Sequence, residues 1–138
     1  MVNPPPTLTL VSMTEAQKCV LLVEDDRSVR RYLEVTLQRA GYKVISAEDG
    51  VEGMKYALTS RIDAVLTDAV MPQLNGRELA RLLKSRPQFA KLPIILLTGQ
   101  ENDDAANDDQ KLIDAFLNKP VKAEELRECL AQLTETRP

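Results

Sequence analysis

The chain of 138 residues contains no histidine and only two cysteines, Cys19 and Cys129. Without histidine, neither a Ser–His or Cys–His catalytic pair nor an imidazole metal ligand can form. The two cysteines lie far apart and outside any CxxC pattern, so they cannot complete an ordinary zinc site. We expect two reduced thiols in a cytoplasmic protein. Any chemistry must therefore depend on carboxylates, lysine, threonine and the backbone.

The sequence also lacks long hydrophobic runs and an excess of basic charge. No apolar run reaches the roughly 18 residues that a membrane helix needs, and the N-terminus lacks the features of a signal peptide. The net charge is −3, which argues against a nucleic-acid-binding surface. The hydrophobic content of 43% suits a core, and the length suits one domain. We expect no direct contact with nucleic acid or membrane.

Proline content separates the start of the chain from the rest. Residues 1–16 include three consecutive prolines, which fit neither a helix nor a central strand. We predict a flexible or extended leader over 1–16, one domain over 17–135 and a short tail over 136–138.

Five short apolar segments follow, each bounded by turn signals. Such segments are typical of strands that are buried on both faces of a sheet. They cover residues 19–24, 42–47, 62–68, 93–98 and 112–120.

Helical patterns alternate with these segments. Asp49 and Asn75 are suited to cap helices, and Gly41 is suited to end one. Two helices carry apolar residues that we expect to share an inward face: Leu79, Leu82 and Leu83 in one, and Ala123, Leu126, Leu130 and Leu133 in the last. The strand–helix alternation predicts an α/β fold with a doubly wound, five-stranded parallel sheet in a three-layer αβα sandwich.

One segment breaks this pattern. Residues 100–111 are polar on every side, so we expect a short or mobile helix there. The run "NDDAANDD" lacks the spacing and the glycine of a calcium-binding EF-hand loop. A solvated acidic segment is the better interpretation.

Polar residues end four of the predicted strands. The first ends in Glu24, Asp25 and Asp26, the third in Asp68, the fourth in Thr98 and the fifth in Lys119. Singly, each residue could be a helix cap, strand filler or a surface side chain. Ligands of open parallel sheets bind at the carboxyl edge, so together these residues predict a pocket there. Grouped carboxylates repel one another, and Mg²⁺, which prefers oxygen ligands, would relieve that repulsion.

These residues fall within motifs that resemble a known family. The matching pieces are "VLLVEDD" at 20–26, "DAVMPQLNG" at 68–76, "PIILLTG" at 93–99 and "DAFLNKP" at 114–120. The combination resembles the receiver domain of two-component response regulators, the CheY-like proteins. The resemblance implies a flavodoxin-like sheet with strand order 2-1-3-4-5.

The resemblance implies a phosphorylation site with a metal. Asp68 would accept the phosphoryl group. Asp25, Asp68 and the backbone carbonyl of Val70 would bind Mg²⁺ directly, and Glu24 would assist through a water molecule.

The resemblance also implies a switch. Thr98 would donate its hydroxyl to a phosphoryl oxygen, and Lys119 would pair with phosphate or with Asp68. Phe116 occupies the aromatic switch position and would turn inward when Thr98 moves. The face formed by the fourth helix, fifth strand and fifth helix would then change shape.

By the same resemblance, the phosphodonor would be a histidine kinase or a phosphotransfer protein. We expect a stand-alone regulator without a DNA-binding output domain, acting through an unknown downstream protein as a monomer or a weak phosphorylation-dependent homodimer. A receiver module of a hybrid histidine kinase is the alternative. Beyond self-phosphorylation and self-dephosphorylation we expect no enzyme activity. An aspartate-nucleophile phosphatase would need a D-x-D motif, but Val70 stands two residues after Asp68; a degenerate scaffold is disfavoured by the intact residue set.

Three features depart from the family pattern. Val70 and Gln100 occupy positions that influence how long the phosphoryl group survives, and Val70 offers no polar group to water. Leu112 and Ile113 replace the usual Gly-Ala before the fifth strand, so the turn there must differ. The polar segment 100–111 replaces a normally amphipathic fourth helix.

Overall fold

A central parallel sheet organises the structure, a computed structural model that describes residues 17–99 and 112–135. Its strands are β1 (Cys19–Val23), β2 (Lys43–Ala47), β3 (Ala64–Asp68), β4 (Ile94–Thr98) and β5 (Ala115–Asn118). They pair in the order β2-β1-β3-β4-β5, and every pair is parallel. The predicted α/β fold, with its strand order 2-1-3-4-5, is confirmed.

Four α-helices cover the two faces of the sheet within the described residues. They are α1 (Arg27–Arg39), α2 (Gly50–Thr59), α3 (Gly76–Lys84) and α4 (Ala123–Glu135), and a short 3₁₀ helix spans Pro87–Phe89. One hydrophobic cluster joins the sheet to α2 and α3, and a second joins it to α1 and α4. The layers are therefore those of the predicted αβα sandwich.

The three central strands are buried along their whole length, which explains their continuous apolar sequences. In β1, Leu21 and Val23 enter the cluster beneath α2 and α3, whereas Val20 and Leu22 enter the other. Successive side chains of a strand point to opposite faces. Because both faces are covered by helices, both must be apolar.

Side-chain caps set the starts of three helices. Asp26, Asp49 and Asn75 accept hydrogen bonds from the N–H groups of the residues three positions later, and Asn75 forms a full capping box with Glu78. Gly41 follows α1 with a φ of 98°, which glycine adopts without steric cost. These capping roles match the predictions for Asp49, Asn75 and Gly41.

Two of the predicted inward-facing residues are exposed. Leu82 is 45% exposed, and the buried face of α3 contains Ala80 with Leu79 and Leu83. The prediction was wrong because Leu82 lies about 100° around the helix from the centre of that face. Ala123 is also exposed. It is the first residue of α4, where the helix has only begun to cover the sheet, and the buried face continues instead to Thr134, which is 5% exposed.

The predictions for the leader 1–16, the polar segment 100–111 and the tail 136–138 fall outside the described residues. Leu112 is described. Among the described non-glycine residues only Gln73 has a positive φ, so Leu112 does not adopt the glycine-like conformation. No helix in the described ranges is both long and apolar enough to cross a membrane.

Two aspartates secure the starts of strands at the N-terminal edge of the sheet. Asp63 accepts a hydrogen bond from the backbone N–H of Cys19 at 2.8 Å. Asp114 accepts one from the N–H of Ile94 at 2.7 Å, and Lys84 lies 3.5 Å from the same carboxylate oxygen. Each carboxylate thus supplies a partner for the N–H group at the start of a neighbouring strand.

Candidate functional site

Three acidic side chains converge at the opposite, carboxyl-terminal edge of the sheet. Glu24 follows β1 and is completely buried, Asp25 is exposed, and Asp68 ends β3 with 6% exposure. One carboxylate oxygen from each of the three lies within 4.8 Å of the others. The strand ends bring together acids that are more than forty residues apart in sequence.

Lys119, which follows β5, provides the positive charge of this site. Its ammonium nitrogen lies 3.0 Å from Asp68 Oδ2 and 3.4 Å from Glu24 Oε1. Burial disfavours the charged ammonium, but the hydrogen bond to Asp68 and the charges of Glu24 and Asp68 outweigh that effect and raise the pKa of Lys119. Lys119 therefore stays protonated beside both acids.

Glu24 is the most constrained of the acids. Its Oε2 atom accepts a hydrogen bond from the N–H of Asp26 at 3.1 Å, while Oε1 is buried and, among the described residues, is paired with the ammonium of Lys119 alone. Burial, with a further contribution from the negative charge of Asp68, raises the pKa of Glu24 to about 7. A divalent cation would add to the partial compensation that Lys119 gives this buried carboxylate.

Close backbone contacts fix the position of Asp68. Its carbonyl oxygen accepts a hydrogen bond from the hydroxyl of Thr67 at 3.1 Å, and its Oδ1 atom lies 3.4 Å from the N–H of Val70. The first residue of α3, Gly76, packs so tightly here that a Cβ atom would lie 2.3 Å from the carbonyl oxygen of Asp68. This contact explains why the motif beginning at Asp68 ends in glycine.

The cluster fits a hard divalent cation. Its donors are carboxylate oxygens, which Mg²⁺ prefers. Glu24 Oε1 is buried with Lys119 as its ion-pair partner, and burial raises the pKa of the carboxyl, so a bound cation would favour its ionised form. Asp25 and Asp68 complete the set from two strand ends. Val70, whose carbonyl the resemblance adds to these ligands, lies in the loop after Asp68 with its side chain 77% exposed.

The two expected switch residues lie on β4 and β5. The hydroxyl of Thr98 is buried and donates to Asn118 Oδ1 at 3.0 Å. Phe116 is partly buried and packs against the cluster beneath α2 and α3. Sequence reasoning did not single out Asn118 or the role of Gly76. One sequence signal was available for each: Asn118 directly precedes Lys119, and Gly76 directly follows the helix cap Asn75.

A cavity of about 540 Å³ opens next to the acidic cluster. It is lined by residues of α1 and of the loop after β5: Ser28, Val29, Tyr32, Leu33, Lys119, Pro120 and Val121. The hydroxyl of Tyr32 donates to the carbonyl of Val121 at 3.0 Å, which ties α1 to the loop that contains Lys119. The cavity therefore places an apolar surface beside the charged site.

Curated relatives match most of the chain. The chain is 40% identical over 114 residues to response regulator MprA from Mycobacterium sp. (strain KMS), which covers 78% of the chain and 46% of that protein. It is 35% identical over 108 residues to hybrid signal transduction histidine kinase D from Dictyostelium discoideum, with coverage of 78% and 7%. The chain thus spans about half the length of the response regulators that it matches.

Solved structures agree with the fold. A receiver domain of sensor histidine kinase PA1611 from Pseudomonas aeruginosa PAO1, described with a magnesium ion coordinated in its active site cleft, superimposes with a TM-score of 0.80 at 31% identity. The match covers 87% of this chain and 99% of that one. Chemotaxis protein CheY4 from Vibrio cholerae gives a TM-score of 0.79 at 31% identity, with coverage of 86% and 99%.

The family model described as "response regulator receiver domain" matches residues 20–131, which include all four strand ends of the acidic site. With that match and the parallel sheet in the order 2-1-3-4-5, the chain belongs to the response regulator receiver domain family, the CheY-like domains of two-component systems.

Proposed function

We propose that Asp68 accepts a phosphoryl group and that this modification switches protein contacts. The observation that carries the proposal is the environment of the Asp68 carboxylate. It lies at the carboxyl-terminal edge of the sheet, 3.0 Å from the ammonium of Lys119 and close to the carboxylates of Glu24 and Asp25. In phosphoryl transfer a protein contributes mainly by positioning the reactants and by neutralising charge.

The proposed reaction is a displacement at phosphorus. An oxygen of Asp68 forms a bond to the phosphorus of a phosphohistidine, and the bond from phosphorus to the imidazole nitrogen breaks. The electron pair of that bond stays on the imidazole, which takes up a proton. Because this chain has no histidine, the donor histidine must come from another protein. Receiver domains receive phosphoryl groups from histidine kinases, so a histidine kinase or phosphotransfer protein is the proposed donor.

Each charged residue has a separate role in this proposal. Asp25 and Asp68, with the carbonyl of Val70, would hold Mg²⁺ directly. Glu24 would assist from its buried position through a water molecule. The bound cation supplies neutralisation of the charge on the phosphoryl oxygens. Lys119 stabilises the same oxygens from the side of β5, because its ammonium already faces Asp68 at hydrogen-bond distance.

The cavity beside Lys119 is the proposed entry for the donor. Its apolar lining from α1 and the loop after β5 could receive an apolar side chain of the donor while the histidine reaches Asp68. Thr98 and Phe116 would report the modification, because they lie on neighbouring strands that end at the site.

The test is phosphorylation with a small-molecule donor. The protein is incubated with acetyl phosphate and Mg²⁺, and the added mass is located by intact-protein and peptide mass spectrometry. We expect one phosphoryl group per chain on Asp68, and none in Asp68→Asn. Asp26→Asn is the matched control, because Asp26 is an adjacent acid that caps α1 rather than facing the cluster; it should be labelled like the wild type.

Labelling that persists in a folded Asp68→Asn variant would contradict the proposal, as would the absence of labelling with any donor. The stoichiometry also separates a phosphoacceptor from a phosphatase. A receiver takes up one group per chain and loses it by hydrolysis, whereas steady turnover of phosphate esters would indicate an enzyme.

A further inference from the structure

The hydroxyl of Thr98 already has a partner in the unmodified protein. Thr98 is 2% exposed, and its hydroxyl donates to Asn118 Oδ1 at 3.0 Å across the β4–β5 pair. In the strand register Thr98 lies opposite Asn118, and two residues earlier Leu96 lies opposite Phe116. Since alternate residues of a strand share a face, the hydrogen-bonded pair lies on the same face of the sheet as Phe116.

This bond competes with the role that Thr98 has in the proposed function. A hydroxyl carries one hydrogen and can donate to only one acceptor at a time. If it donates to a phosphoryl oxygen on Asp68, it must release Asn118. The two hydrogen bonds therefore belong to two different states of the β4–β5 end of the sheet.

We propose that Asn118 is a positioning residue that holds the hydroxyl of Thr98 in the unmodified state and so opposes the response to phosphorylation. This inference rests on the proposed function, because it takes Asp68 as the site of the incoming anion. Asn118 would shift the balance between the two states through its bond to Thr98. It would do so without contacting the phosphoryl group.

A variant that lacks the acceptor oxygen of Asn118 should bind a phosphoryl analogue more tightly. Asn118→Leu keeps the approximate shape of the side chain but leaves the buried hydroxyl of Thr98 without the Asn118 oxygen. The phosphoryl group then gains a hydrogen bond without breaking one. The net value of an ordinary hydrogen bond corresponds to a gain in affinity of about fivefold for a phosphoryl analogue.

The experiment is a double-mutant cycle with beryllofluoride, a phosphoryl analogue, in the presence of Mg²⁺. Affinity is measured by NMR titration for the wild type, Asn118→Leu, Thr98→Val and the double variant. We expect Asn118→Leu to bind about fivefold more tightly than the wild type, and to have no effect when Thr98 is valine. Asn118→Asp, which keeps an acceptor oxygen, should bind no more tightly than the wild type.

A spectroscopic signature distinguishes this role from a merely structural one. Beryllofluoride should shift the side-chain amide resonances of Asn118 in the wild type, because the hydroxyl leaves it, and should shift them far less in Thr98→Val. Equal tightening by Asn118→Leu in both backgrounds would overturn the inference, as would unchanged affinity in the Thr98 background.

Failure of the proposed function gives a different result. If the wild type binds no beryllofluoride, Asp68 is not the proposed acceptor site, and the role of Asn118 in opposing phosphorylation fails with it. The hydrogen bond itself is tested separately, in the unmodified protein, by the same four proteins in urea denaturation. A coupling free energy between Thr98 and Asn118 supports the bond that holds the hydroxyl, and additive effects overturn it.

Discussion

The buried carboxyl of Glu24 should make the stability of the metal-free protein depend on pH. Its pKa is raised from 4.5 to about 7, chiefly by burial. Between these two values the folded protein holds a proton that the unfolded chain does not hold. A group whose pKa is higher in the folded state contributes stability that is complete below the unfolded pKa and is lost as the pH rises through the folded pKa. The loss should therefore occur as the pH rises from about 4.5 to beyond 7.

The size of the effect follows from the shift. One pKa unit corresponds to about 1.4 kcal/mol, so the full shift corresponds to about 3 kcal/mol. Over an accessible range, from about pH 5.5 to about pH 8, the free energy of unfolding should fall by about 2 kcal/mol. The sequence makes this measurement clean. Histidine, which ordinarily titrates in the same range, is absent from the chain, and burial raises the pKa of both Cys19 and Cys129 from 9.0.

The assay is urea denaturation followed by far-UV circular dichroism, with EDTA, at the two ends of this range. Glu24→Gln is the matched variant, because glutamine keeps the shape but cannot ionise. Near pH 8, where the full shift applies, it should be about 3 kcal/mol more stable than the wild type, and its own free energy of unfolding should lose the pH dependence due to Glu24. Addition of Mg²⁺ near pH 8 should stabilise the wild type more than Glu24→Gln. If the two proteins show the same pH dependence, the reasoning about Glu24 is refuted.

Two further predictions concern the scaffold of the site. Gly76→Ala should destabilise the protein by about 1–3 kcal/mol in urea denaturation despite the better helix propensity of alanine, because its Cβ would overlap the carbonyl oxygen of Asp68. Gly41→Ala, where the cost comes from a φ of 98° and no neighbour lies within 4 Å, should cost about 1–2 kcal/mol and leave phosphorylation by acetyl phosphate unchanged. Gly76→Ala should be phosphorylated more slowly than Gly41→Ala, because the added Cβ displaces Asp68; equal rates for both variants would contradict the role of Gly76. Tyr32→Phe should lower the free energy of unfolding by about 1 kcal/mol or less, since it loses only the bond to the carbonyl of Val121; a larger loss would mean that the tyrosine does more than tie the loop to α1.

The sequence predicted the sheet because its signals are redundant. Each strand is a short apolar run, and Asp49, Asn75 and Gly41 mark helix ends by chemistry that acts within a few residues. Inward faces were harder to predict. Leu82 is apolar but lies to the side of the α3 face, and the small residue Ala80 fills the position that packs.

The site was predictable only at the level of which strand ends meet. Three consecutive acids follow β1, and composition does not say which of them is buried. The structure divides their roles by the path of the chain: Glu24 turns into the protein, Asp25 remains exposed at the cluster, and Asp26 caps α1. The partner of the Thr98 hydroxyl could not be predicted, because it depends on the register between β4 and β5.

The acids at the two edges of the sheet differ in the partners that the fold gives them. At the N-terminal edge, Asp63 and Asp114 each accept a hydrogen bond from the backbone N–H at the start of a neighbouring strand, so both are satisfied within the fold. At the carboxyl edge, among the described residues, Asp68 and Glu24 each accept from one loop N–H group, at 3.4 Å and 3.1 Å. The acids at the N-terminal edge thus find their partners on the backbone, whereas those at the carboxyl edge rely on Lys119 and on what binds beside it.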